Sequence, residues 1–231
     1  MNPFLSIFWF VVVLLFVIVN VMLIAWVERR FCGLMQERLG PNRVGPFGLL
    51  QSVVDAVKLL SKELVTPTAA DKGVFFLAPI LCFVPAILLY PVFPFGKGLV
   101  LSNLSIGLVF FIAISSTTTV SILMAGWGSN NKYSLLGGMR TVSQMISYEI
   151  PLVLSVFGVV MITGSLNLET IVQAQHSVWF VVLQPVAFCI FVIASIAELN
   201  RAPFDLPEAE QELVAGYHTE YSGMQFAFFY L

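Results

Sequence analysis

Charged side chains make up only 10% of this chain, against 58% hydrophobic residues and a mean hydropathy of +0.93. A soluble domain carries about 25% charged and about 45–50% apolar residues. So little polar surface excludes a soluble globule and leaves a polytopic membrane protein. Cysteine is equally sparse: Cys32, Cys82 and Cys189 stand far apart, mostly in apolar runs. Their odd number argues against a disulfide framework, and their spacing fits no metal motif. The two histidines, His176 and His218, join no carboxylate cluster at ligand spacing. There is no nucleotide-binding glycine loop and no Ser or Cys nucleophile motif. The net charge of −2 says little by itself, and no nucleic-acid partner is expected. The first apolar run has no basic segment before it, exceeds a signal-peptide core in length and ends in no cleavage site. It is therefore expected to stay as a spanning helix. No transit peptide is visible, which fits a bacterial or an organelle-encoded protein. No internal repeat is visible either, which weighs against an inverted-repeat transporter.

What the chain has in abundance is long apolar runs. Five lie at about 4–27, 74–94, 104–127, 141–163 and 178–197. Each meets the roughly 20-residue length needed to cross about 30 Å of hydrocarbon as a helix. A sixth, 224–231, is incomplete. A half-crossing leaves backbone groups unsatisfied in lipid, so a fragment, a split protein or completion by another polypeptide is expected. The predicted fold is an all-α polytopic membrane bundle in a single membrane domain, 1–231. Its inner loops fall at 28–73, 128–140 and 198–223.

The placement of lysine and arginine sets the orientation. Ten of the eleven lie in the connections after the first, third and fifth spans, and only Lys97 follows an even one. The positive-inside rule then puts the N-terminus outside and those three loops in the cytoplasm or the mitochondrial matrix. The membrane is accordingly a bacterial cytoplasmic membrane or a mitochondrial inner membrane. Within the first inner loop, QERLGPNRVGPFG carries Gly-Pro pairs that forbid regular helix and favour a fixed path. After it, Leu50, Val53, Val54, Val57, Leu60 and Leu64 recur at helical spacing. This predicts an amphipathic helix with Asp55, Lys58 and Lys62 on its polar side. The two lysines read most simply as a solvated face.

Two groups of residues carry chemistry. Glu149 follows Arg140 by nine residues, roughly 13 Å along the fourth span, near mid-membrane. An acid there is costly, faces a bundle interior or a water-filled cavity, and is poised to carry a proton. Pro151 frees a helix carbonyl close by, so polar backbone can line the same cavity. Glu198 ends the fifth span nearer the inner surface, so a proton can pass between the two through water. The second group is AELNRAPFDLPEAEQELVAGYHTEY, which holds Glu198, Asp205, Glu208, Glu210, Glu212 and Glu220 with Arg201. Carboxylates this dense repel one another unless they share protons or pair with bases. Arg29, Arg30, Arg38, Arg43 and Arg201 lie on the same side, so an inner cavity lined by acids and arginines is expected. The hydroxyl run Ser115–Thr119 with Ser121 reads as helix–helix packing.

The segments ERRFCGLMQERLGPNRVGPFGLLQSVVDAVKLLSKE, GWGSNNKYSLLGGMRTVSQMISYE and AELNRAPFDLPEAEQELVAGYHTEYSGM closely resemble subunit 1, also called the H subunit, of the proton-pumping NADH:quinone oxidoreductase, respiratory complex I. The likeness covers the whole chain. It implies a subunit that joins the membrane arm to the peripheral arm and forms most of the membrane side of the quinone cavity. Arg29, Arg38 and Asp55 then match positions at or near the quinone channel. Asp205, Glu208, Glu210 and Glu212 match the acidic loop beside it. Glu149 and Glu198 match acids of the buried proton path. The likeness also implies that this chain holds no redox cofactor and no metal. Quinone is the substrate, and iron–sulfur clusters and FMN belong to partner subunits. Expected partners are the peripheral-arm iron–sulfur and quinone-site subunits, small membrane subunits, antiporter-like subunits and lipids. No complete active site is expected on this chain alone. The alternative is the ion-coupling anchor of a membrane-bound hydrogenase; an independent transporter is the third class.

Overall fold

Uninterrupted apolar sequence becomes long helix. The computed structural model describes residues 3–96, 100–205 and 214–230, and among these every regular element is helical. Among the described residues, four helices are long and apolar enough to cross a membrane: Phe8–Met35, Lys72–Val92, Gly107–Gly128 and Lys132–Thr163. The chain forms two compact units, Met1–Val65 with Ser222–Leu231, and Thr66–Tyr221.

The first unit is built on α1 (Pro3–Met35). The sequence placed the end of this span near residue 27, yet the helix continues through Glu28, Arg29 and Arg30. Nothing there breaks it: Glu28, Arg29 and Arg30 are themselves good helix formers, and no proline follows before Met35. It stops where Glu37 adopts a positive φ of 52° and the amides of Glu37 and Arg38 turn back to the carbonyls of Leu34 and Gly33 at 3.2 and 2.9 Å. This pair of hydrogen bonds is a Schellman closure. The connection then runs to a 3₁₀ turn, Pro46–Gly48, and to α2 (Gln51–Ser61). Gly48 has φ 77°, and a Cβ there would lie 2.3 Å from the Pro41 carbonyl oxygen, so only glycine fits. α2 is amphipathic as expected, but Lys62 caps it in extended conformation and lies beyond the helix. The Ser52 hydroxyl donates to the Met22 carbonyl at 3.0 Å, fixing α2 on α1. α9 (Gly223–Tyr230) packs on α2, and Ser222 Oγ accepts from Val65 N at 2.9 Å.

In the second unit, α3 (Lys72–Leu89), α4 (Gly107–Gly128), α5 (Lys132–Thr163) and α8 (Pro185–Glu198) pack in that order, each on the next. The interfaces use small residues and hydroxyls, as packing between apolar helices requires. Ser121, Ala125, Ser134 and Thr141 are fully buried. A Cβ on Gly126 would meet the Ser134 carbonyl oxygen at 2.9 Å, and one on Gly137 would meet Gly216 Cα at 2.7 Å. α5 begins at Lys132, capped by the Asn131 side chain, so the expected loop 128–140 shrinks to a tight turn. At 32 residues α5 is about 48 Å long, more than the hydrocarbon core needs.

The fifth span is not one helix. After α6 (Leu168–Ala174), the short α7 (Phe180–Leu183) stops at Gln184, and α8 starts at Pro185. Proline removes the next helix hydrogen bond and drives its predecessor out of helical conformation; Gln184 sits at φ −134°, ψ 63°. The Gln184 side chain donates to the Gly158 carbonyl of α5 at 3.1 Å, which holds the break against its neighbour.

Candidate functional site

In the first unit, Arg29 projects from the last part of α1 and Asp55 from α2. Their side chains form an ion pair, with Arg29 Nη1 donating to Asp55 Oδ2. Gln51, one turn earlier on α2, donates to the other carboxylate oxygen at 3.0 Å. Partial burial works to raise the Asp55 carboxyl. The hydrogen bonds from Arg29 and Gln51, with the charges of Arg29 and Lys58, outweigh it and hold Asp55 below its ordinary value. Asp55 is therefore ionised near neutral pH, and it orients Arg29.

The Gly-Pro loop is tied down by α1. Trp26 Nε1 donates to the Phe47 carbonyl at 3.1 Å, and Arg30 Nη1 to the same oxygen at 3.3 Å. The Arg30 guanidinium lies over the Trp26 and Phe47 rings, 5.6 and 5.8 Å from their centroids. So fixed, the loop forms a cleft of about 560 Å³ lined by Arg29, Arg38, Arg43, Asn42 and Gln51 among others. Arg38 Nε donates to Gln36 at 2.7 Å. The structure thus gathers Arg29 and Arg38 at one polar cleft and links Asp55 to it. A cleft with this donor density recognises a polar, electron-rich group such as a carbonyl or an anion.

In the second unit, Glu149 lies halfway along α5, about 25 Å past Lys132. It is half-buried and receives a hydrogen bond from Ser116 of α4. Glu198 closes α8, is also half-buried, and stands within electrostatic reach of Glu149. The packing of α8 on α5 thus brings these two acids into one another's field. Gln144 adds a feature that spacing did not reveal. Its amide nitrogen, with two N–H donors, lies 2.9 Å from the Ala197 carbonyl, 3.1 Å from Asn200 Oδ1 and 2.8 Å from the Phe204 carbonyl. Tyr148 packs edge-on against Phe204, with ring centroids 5.3 Å apart. Within two turns of Glu149, α5 therefore also fastens the chain that leaves Glu198 towards Asp205.

Asp205 is exposed. Glu208, Glu210 and Glu212 lie outside the described residues. Glu220, counted with the acidic cluster, accepts from Asn131 Nδ2 at 2.6 Å and locks the start of α5. A larger cleft of about 630 Å³ lies beside the α7–α8 break, lined by Ile150, Pro151, Leu154, Pro185 and Ile190 among others. It is almost wholly apolar, and no charged side chain is among the residues that line it.

Sequence reasoning missed Gln51, Ser116 and Gln144. Gln51 was visible as an i, i+4 partner of Asp55. Ser116 was hidden in a hydroxyl run whose commonest role is packing, and nothing in the spacing of Gln144 pointed to α8.

A family model described as NADH dehydrogenase matches residues 8–231. The chain is 59% identical over 216 residues to the H subunit of the NADH-quinone oxidoreductase of Dehalococcoides mccartyi, covering 94% of this chain and 61% of that protein. It is 60% identical over 205 residues to the corresponding H subunit of Bacillus cytotoxicus, covering 88% and 62%. The chain thus spans about three fifths of the length of these relatives. With that family matched from Phe8 to the last residue, and 59% identity over 94% of the chain, the chain belongs to the NADH dehydrogenase family, that of the H subunit of NADH-quinone oxidoreductase.

Proposed function

We propose that this chain forms the membrane side of the quinone cavity, and the first part of the buried proton path, in a proton-translocating NADH:quinone oxidoreductase. The observation that carries the reading is the 59% identity to the H subunit of an NADH-quinone oxidoreductase over 94% of the chain. The polar cleft of Arg29, Arg38 and Arg43, and the Glu149–Glu198 pair, supply groups suited to it. Both compact units belong, on this reading, to one membrane domain with its N-terminus outside.

The quinone headgroup is a pair of carbonyls, and the arginine cleft offers donors to them. Arg29 is held by Asp55, so it meets the headgroup already oriented. Reduction adds two electrons and takes up two protons. Negative charge that develops near the inner side raises the proton affinity of nearby carboxylates, and the effect passes on by Coulomb coupling where screening is weak. Asp205, Glu208, Glu210 and Glu212 receive this change first. Glu198 and Glu149 receive it next and hand protons along the bundle. Electrons come from iron–sulfur clusters, and ultimately FMN, in partner subunits. The antiporter-like subunits continue the path.

A photoreactive quinone analogue tests the reading on the complex isolated from membranes. Labelling within residues 29–55 that excess quinone suppresses is expected. Absence of protected labelling, with ion movement driven by hydrogen oxidation, would support the hydrogenase-type anchor instead.

A further inference from the structure

Ser116 sits between two acceptors. Its hydroxyl lies 2.9 Å from the Ile112 carbonyl one turn back in α4, and it also contacts Glu149 Oε1 across the interface with α5. A hydroxyl has one hydrogen to donate, and two lone pairs with which to accept. It cannot donate to both partners at once. Which of the two bonds it favours can therefore change with the state of Glu149.

We propose that Ser116 is a positioning residue, a hydroxyl rotor that satisfies Glu149 both with and without its proton. This rests on the reading of Glu149 as a proton carrier. When Glu149 is protonated, its own O–H donates to Ser116 Oγ, and the serine hydrogen points to the Ile112 carbonyl. When the proton leaves Glu149, the serine O–H turns and donates to the carboxylate. No bond other than hydrogen bonds changes, and the serine keeps its own proton throughout.

The neighbouring hydroxyl makes the turn inexpensive. Ser115 Oγ also donates to the Ile112 carbonyl, at 2.9 Å. That carbonyl stays bonded when Ser116 swings away, so no buried acceptor is stranded. Thr117 and Thr118 are placed differently: their hydroxyls donate to the Ile114 and Ser115 carbonyls, each at 2.7 Å. Neither of those bonds involves an acid or a shared acceptor, whereas Ser115 and Ser116 meet at one carbonyl and Ser116 alone of these four contacts Glu149. The ionisable group that the adjoining α8 brings near Glu149 is Glu198, an acid that does not compete as a donor once ionised.

The test is pH-induced infrared difference spectroscopy on the intact complex, with E149Q used to assign the protonated carboxyl band of Glu149. In S116A the band should move to higher wavenumber, because the acid loses its acceptor, and S116T should restore it. S115A should leave the band in place. A Glu149 band unmoved in S116A, or moved equally by S115A, would overturn the rotor and leave the proton path standing. No band lost in E149Q would count against both.

Discussion

Replacing Gln144 with Met keeps the length and shape of the side chain and removes its two N–H donors. Those donors serve the carbonyls of Ala197 and Phe204 and the side chain of Asn200, at 2.8–3.1 Å. Ala197 is fully buried, so water does not readily take over its carbonyl. Two hydrogen bonds at about 0.5–1.5 kcal/mol each give a loss of about 1–3 kcal/mol. At about 1.4 kcal/mol per tenfold, local opening rises roughly 5- to 150-fold. The reporters are the amides of Leu199, Asn200, Arg201 and Phe204, which bond to Ser195, Ala197, Ile196 and Arg201 carbonyls. Hydrogen exchange in a lipid nanodisc should accelerate by that factor across 199–204 and stay unchanged in α3 and α4. Unchanged exchange at these amides, or an equal acceleration everywhere, would refute the assignment of Gln144 as the fastener of this segment.

Two further outcomes follow from charge. The Arg29–Asp55 pair is partly exposed, at 54% and 27%, so a double-mutant cycle with R29L and D55A should return only ~0.2–1 kcal/mol of coupling. Because Asp55 is held below 3.8, that coupling is present above this pH and should vanish as pH falls through the lowered value; coupling that persists in acid contradicts it. His218 is 5% exposed, and burial pushes it from 6.5 down to about 4. The unfolded chain then binds a proton that the folded chain refuses, so stability is full above about pH 6.5 and falls towards about pH 4, by on the order of 3 kcal/mol. H218F should flatten this decline in denaturation curves, and a wild-type curve already flat over that window contradicts it.

How far the sequence reached depended on the kind of signal. Apolar runs located the helices because hydropathy acts over many residues at once. Their ends moved because ends are set locally. α1 ran on to Met35 until Glu37 could turn, and α5 reached back to Lys132 because Asn131 caps it. The break at Gln184–Pro185 was written in the proline, but the run around it stays apolar, and hydropathy is blind to a missing N–H. Glu149 stood out in the sequence because an acid within an apolar run is costly to place in lipid. The side-chain partners did not: Ser116 reaches Glu149 across 33 positions and Gln144 reaches Phe204 across 60. Such pairs depend on how α5 is turned towards α4 and α8, which no local pattern records. The Arg29–Asp55 link, 26 positions long, is of the same kind.

If Glu149 carries protons driven by quinone reduction, its loss must show in the pumping stoichiometry. The decisive quantity is the number of protons moved per electron in sealed vesicles holding the complex with E149Q, compared with wild type at matched electron flux. A lower ratio is expected, since a glutamine at that depth keeps the shape and cannot release a proton. An unchanged ratio would remove Glu149 from the path.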